Sequence, residues 1–172
     1  MKIRALLLIT LAVMTFSHTA EAQSLPRKVR NIEVQDLDTK KARLPWWGEK
    51  NLLIFYVDPE VPKQNHDFIT YIEETGRVQG PNIEGFGIVN LKDAVYPNNV
   101  VRKIADARTA KNGATILCDP DHYVSSAWRL GDCNNMFVIM LVNKAGELVY
   151  VHKGEMDEKA QQEFLAAAEP LR

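Results

Sequence analysis

Two thiols and a short acidic junction are the residues of this chain whose types and spacing could do chemistry. Cys118 and Cys133 are the only cysteines among 172 residues. Such a pair can work as a redox couple, because a thiolate attacks a disulfide and a second thiol resolves the mixed disulfide. It can equally staple a loop, here of about 15 residues, for which the chain-entropy model gives roughly 3 kcal/mol. Nothing cationic adjoins either thiol in sequence except Arg129, before Cys133. A structural bridge needs no activated thiolate. The expectation is a Cys118–Cys133 disulfide, and the alternative is a displaced thiol–disulfide oxidoreductase pair.

The acidic junction holds Asp58 and Glu60, with His66 close behind. Carboxylates beside a histidine can bind a metal or move protons. The spacing matches no zinc signature, and carboxylates ahead of a helix also cap it and complement its dipole. A third group, Asn90, Lys92 and Asp93, follows a second apolar run; Asx turns that merely shape a loop are common there. If a ligand site exists, Asp58, Glu60, Asn90 and Asp93 are its expected contacts. No metal and no cofactor is expected. Trp46 and Trp47 could grip a ligand from a loop, although consecutive residues tend to point apart and one of them belongs to the core. Trp128 reads as core. His122 and His152 have no partner at ligand spacing and read as structural or exposed.

An α/β framework has to position these groups. Leu52–Val57 is apolar without alternation, as in a strand buried on both faces. Pro62 is suited to be the first residue of a following helix, with Phe68, Ile69, Tyr71 and Ile72 on its inner face and Gly76 at its end. Phe86–Asn90 is a second strand. A helix starts at Pro97–Asn98 and carries Val100, Val101, Ile104 and Ala105 at helical spacing. Ala114–Cys118 is a third strand, and Asp121 caps a helix running to Leu130. Met136–Val142 and Glu147–His152 form a hairpin around Asn143–Gly146, and a last helix begins near Met156. Ahead of all this, Leu25–Val29 reads as a linker and Asn31–Leu44 as a hairpin. Ligands in open α/β sheets sit beyond the carboxyl ends of the strands, so Asp58 and Asn90 are expected to share one rim.

The N-terminus reads as an export signal over residues 1–22. Lys2 and Arg4 precede the apolar run Ala5–Phe16, and Ala20-Glu21-Ala22 is a small-x-small cleavage site. The run is too short to span a bilayer, so no stable membrane anchor is expected after cleavage. The remaining segment, 23–172, suits one domain. Its formal charge is −2 against −1 for the whole chain, with no basic stripe, which speaks against nucleic acid as a partner. A periplasmic or secreted location follows.

The order hairpin, β, α, β, α, β, α, hairpin, α resembles the thioredoxin-like fold, a three-layer α/β/α sandwich with an N-terminal β-hairpin and a central mixed sheet. LLIFY before a helix, ILCDPDHYVSSAW and MLVNKAGELVYVHKG carry that resemblance. Ile88–Ala94, with Pro97, Val101-Arg102 and Ser126–Leu130, is similar to the YtfJ family of periplasmic proteins. That resemblance implies a fold and an address and names no reaction. The redox members of the fold carry C-x-x-C at the first strand–helix junction; here the corresponding positions fall near Glu60 and Lys63. They also place a cis-proline before the closing hairpin, where this chain has Phe137. The resulting expectation is a non-redox binding or accessory protein that meets a small ligand or another exported protein at the rim after Val57 and Val89.

Overall fold

The computed structural model describes residues 24–172. The expected signal segment, 1–22, lies outside the described residues. Leu52–Val57 forms nearly all of β4 (Asn51–Val57). This strand pairs in parallel with β5 (Ile83–Asn90), and β5 in parallel with β6 (Ile116–Asp119). On its other side β4 meets antiparallel β7 (Phe137–Val142), followed by β8 (Glu147–Lys153). The N-terminal hairpin is β2 (Glu33–Gln35) and β3 (Lys41–Arg43), attached beyond β6 through Gln35 opposite Cys118. The segment expected as a linker contains β1 (Arg27–Lys28), which borders β8. One eight-stranded mixed sheet results, in the order β1-β8-β7-β4-β5-β6-β2-β3.

The helices are α1 (His66–Glu74), α2 (Asn98–Asn112), α3 (Tyr123–Ala127) and α4 (Glu158–Ala168). The crossovers β4–α1–β5 and β5–α2–β6 progress the same way across the sheet. Right-handed connections therefore put α1 and α2 on one face. There Phe68, Ile69 and Ile72 of α1 pack with Phe164 of α4 on Leu53, Ile139 and Leu141. The other face carries Leu52, Ile54, Tyr56, Phe86 and Ile88, covered by Val124 and Trp128 and by Ile32 and Val34 of the hairpin arm. Every second residue of a strand changes face, which is why the apolar run of β4 serves both cores. Each large apolar side chain fully buried in this way contributes about 1.5–3 kcal/mol.

Two helix starts differ from expectation. The first helix begins at His66 instead of Pro62, because Asn65 adopts a left-handed conformation (φ 64°). Its side chain is committed elsewhere: Nδ2 donates to Gly154 O and Oδ1 accepts from Met156 N, tying the start of α1 to the loop before α4. The third helix is capped by Asp119, not Asp121. The Asp119 carboxylate accepts from the backbone N–H groups of Asp121, Tyr123 and Val124, while Asp121 reaches out to Lys92. That helix ends at Ala127 rather than Leu130, and Arg129 (φ 51°) and Gly131 (φ 71°) turn the chain away.

Candidate functional site

Three strand ends build a polar row. The register sets Val57 beside Val89 and Asn90 beside Asp119, so Asp58, Asn90 and Asp119 follow one another across β4, β5 and β6. Strand parity turns all three towards the face of Tyr56, Ile88 and Leu117. All three are fully buried.

Asp58 accepts from Glu60 N at 2.9 Å, an Asx turn, and from Asn135 N at 2.8 Å. It thus ties the junction after β4 to the loop before β7; it caps no helix. Glu60 Oε1 accepts from Val95 N at 2.8 Å and fastens the loop after β5. Its other oxygen, Oε2, is buried with no backbone or side-chain donor. The neighbouring Asp58 carboxylate, then burial, raise the Glu60 pKa above its ordinary value. The two carboxyls are neighbours at the junction after β4, and ionising Glu60 beside Asp58 is disfavoured.

Asn90 Nδ2 donates to Asp93 Oδ2 at 2.6 Å. The same oxygen faces His122 Nε2 at 2.8 Å. A carboxylate oxygen accepts, so Nε2 is the donor in this contact. Asn90 Oδ1 is buried and has no donor. Tyr56 donates to Asp119 Oδ2 at 3.3 Å, and burial, followed by the Asp119 charge, pushes its phenol well above the usual range. With three backbone donors and this hydroxyl, Asp119 is a satisfied structural anion.

Asp58, Glu60, Asn90 and Asp93, the expected contacts, are brought to this rim. Tyr56, Asp119 and His122 belong with them and were missed. Asp93 and His122 lie on different loops, and no local spacing connects them. The parity of Tyr56 with Asp58, and of Leu117 with Asp119, is the one sequence signal that could have grouped the row. His66 does not join it; it is exposed at the start of α1. Among the described residues, no three His, Cys, Asp or Glu side chains come together in a way that could hold a metal. Trp46 and Trp47 precede β4 at the far end of the sheet and pack on Phe86 and Trp128, so they contribute to the core rather than to a ligand grip.

The expected Cys118–Cys133 disulfide is not formed. Both thiols are free and buried. Leu117 and Cys118 are neighbours in β6 and point to opposite faces. Leu117 shares its core with Cys133, whereas Cys118 packs under α2 with Leu91 and Val101. The sheet therefore separates the two sulfurs. Burial raises the Cys118 pKa, with Arg102 opposing weakly. Burial pushes Cys133 up to about 11 against the opposing charge of Lys153. Neither environment produces the thiolate that exchange chemistry needs. The position expected to correspond to the cis-proline is Phe137, which opens β7 opposite Val57 and donates its N–H to Gln64 Oε1.

No family model and no curated protein matches the chain. Solved structures do. A DsbF homologue from Corynebacterium diphtheriae superposes with a TM-score of 0.59 at 13% identity, covering 86% of this chain and 88% of that one. A putative thiol:disulfide interchange protein DsbE from Chlorobium tepidum gives 0.57 at 14%, covering 83% and 96%. The pneumococcal exposed lipoprotein thioredoxin from Streptococcus pneumoniae gives 0.55 at 16%, covering 80% and 98%. These likenesses extend over most of the described chain, and with the sheet order and helix placement above they establish a thioredoxin-like fold.

Proposed function

We propose that this chain is an exported thioredoxin-fold binding or accessory protein that works without thiol redox chemistry. The adjacent carboxyls of Asp58 and Glu60, linked by the turn in which Glu60 N–H donates to Asp58 Oδ1, carry the reading. They occupy the strand–helix junction where an oxidoreductase of this fold needs its nucleophilic sulfur, and a carboxyl pair cannot exchange disulfides. The junction holds two adjacent carboxyls, and Glu60 Oε2 and Asn90 Oδ1 both lack a hydrogen-bond partner there. Such a rim suits a ligand or protein side chain that brings N–H donors and positive charge. The resemblance to the YtfJ family and the signal-like N-terminus support a periplasmic or secreted location.

The test is chemical-shift mapping on the ¹⁵N-labelled mature protein with three probes: ethylammonium, guanidinium and acetate. The cationic probes should move the amides of Glu60, Val95 and Asn135, and acetate should not. Unmoved amides with every probe, or equal movement with acetate, would overturn the reading.

A second reading, thiol–disulfide oxidoreduction by Cys118 and Cys133, is favoured by the solved structures alike in fold, one of which is named as a thiol:disulfide interchange protein. It fits the fold at least as well. It requires one of the thiols to become exposed, and with the sulfurs on opposite faces the resolving thiol has to come from the substrate. Insulin reduction that disappears in Cys133→Ser would establish it; its absence in the wild type would remove it.

A further inference from the structure

Both residues of β1 are cations, and only one of them is paired. In the antiparallel pairing with β8, Lys28 lies opposite Glu147 and Arg27 opposite Leu148. Lys28 forms an ion pair with Glu147 at 3.3 Å. Residues opposite each other share a face, so Arg27 lies on the α3 face beside Leu148, which is fully buried. Among the described residues, no ion pair within 4.0 Å includes Arg27. Its Nε is buried and has no hydrogen-bond partner.

What does come to Arg27 is a second arginine. Trp128 Nε1 donates to Arg30 O at 2.9 Å, which holds the end of α3 against the segment after β1. Arg129 follows directly, exposed, and turns the chain with φ 51°. Burial, and then the charge of Arg129, lower the Arg27 pKa below its ordinary value, and no acid offsets them. A third cation stands at the same turn, where Lys153 Nζ donates to Leu130 O at 2.8 Å. Neither Arg129 nor Lys153 has an acidic partner within 4.0 Å among the described residues. The acid nearest to Arg129 in sequence, Asp132, turns its carboxylate to Asn134 N.

Like charges held side by side disfavour each other, and an unpaired buried N–H adds a further cost. A guanidinium fork matches two oxygens of an oxyanion at once. One oxyanion between the two arginines therefore removes the repulsion and supplies an acceptor where Arg27 lacks one. The charge count narrows its identity. A carboxylate or a phosphodiester brings a single negative charge for the pair and leaves half of the positive charge uncompensated. A phosphate monoester brings about −2 and three acceptor oxygens.

We propose that Arg27 and Arg129 form a binding site for a phosphate monoester, whether on a soluble metabolite or as the terminal phosphate of a lipid. Lys153 adds positive potential at the turn. The site uses none of the rim residues and does not rest on the rim being functional.

The experiment is isothermal titration and thermal unfolding of the mature chain at pH 8, where a phosphate monoester is doubly ionised, at constant ionic strength. Glycerol 3-phosphate is the probe, and dimethyl phosphate and acetate are the singly charged controls. The probe should bind saturably and raise the unfolding temperature, and the controls should bind at least about tenfold more weakly. Arg27→Gln and Arg129→Gln should each weaken binding at least about tenfold. Arg129→Gln, at an exposed turn position, should also raise the unfolding temperature of the ligand-free protein, because it removes the repulsion; it decides the matter if Arg27→Gln does not fold. Lys41→Gln, whose ion pair with Glu33 lies at the opposite edge of the sheet, should leave binding unchanged. Flotation with phosphatidic acid vesicles, against phosphatidylcholine vesicles, separates the two sources. Binding to glycerol 3-phosphate alone assigns the site to soluble phosphates; binding to the phosphatidic acid vesicles, with or without the soluble probe, assigns it to a lipid phosphate. No saturable binding to either, equal affinity for dimethyl phosphate, undiminished binding in Arg129→Gln, or a lower unfolding temperature of that variant without ligand would overturn the proposal.

Discussion

The two faces of one sheet treat the same three strands in opposite ways. On the α3 face, β4, β5 and β6 end in Asp58, Asn90 and Asp119, which are buried and tied into neighbouring loops. On the α1–α2 face, the middle strand presents Gly85 and Gly87 to an open groove. One face spends its polar groups on holding loops in place; the other leaves space. A thioredoxin-like framework here carries carboxyl groups at its first strand–helix junction and leaves open space on the opposite face.

The largest effect expected from breaking this contrast is at Asp119. Asp119→Ala removes the acceptor for three backbone N–H groups and the Tyr56 hydroxyl. The loss should be about 3–5 kcal/mol in urea unfolding. A change under about 1 kcal/mol would mean that the row is not a buried structural unit.

Asp58→Ala should cost less, about 2–3 kcal/mol, because two backbone donors lose their acceptor. Amide exchange should speed up at Asn135 as well as Glu60, since one carboxylate holds both. Acceleration at Glu60 alone would sever the proposed link between the two loops.

Thiol labelling sharpens the comparison between the faces. At pH 8 only about one Cys133 in a thousand is ionised, given its value of about 11. Both thiols should therefore stay unmodified in the native protein and react together on unfolding. Rapid native labelling of Cys133 alone would favour the oxidoreductase reading.

The smallest effect is at Glu60, and its sign is informative. The folded state raises the Glu60 pKa above 4.5, so it holds the proton more tightly than the unfolded chain does. The resulting stabilisation is fully present below about 4.5 and is lost as pH rises through the raised folded value. Glu60→Gln removes the titrating carboxyl beside Asp58 and keeps an oxygen for Val95 N. It should flatten stability against pH in that window. A variant less stable at pH 7 than at pH 4.5 by the same margin as the wild type would contradict the raised Glu60 pKa.

Much of the fold was legible because it rests on local patterns. The unbroken apolar run of Leu52–Val57 reads as a doubly buried strand, the spacing of Phe68, Ile69 and Ile72 as a helix face (Tyr71, expected with them, is exposed), and Asn143–Gly146 as a tight turn. Failures came where a side chain had a distant partner. Asn65 and Asp119 redefine two helix starts because one binds the loop after β8 and the other closes the end of β6. β1 was missed because two residues with no pattern of their own become a strand only by pairing with Glu147 and Leu148.

From residue types and order alone follow the α/β succession, the lack of a sulfur at the junction after Val57, and the grouping of Asp58 and Glu60 ahead of a helix. Each depends on neighbours within a few residues, where propensity and periodicity act. Only the tertiary structure decided that Cys118 and Cys133 lie on opposite sides of the sheet, that His122 meets Asp93, and that Gly85 and Gly87 floor a groove. Those outcomes depend on register, and a shift of one residue along a strand moves every side chain to the other face.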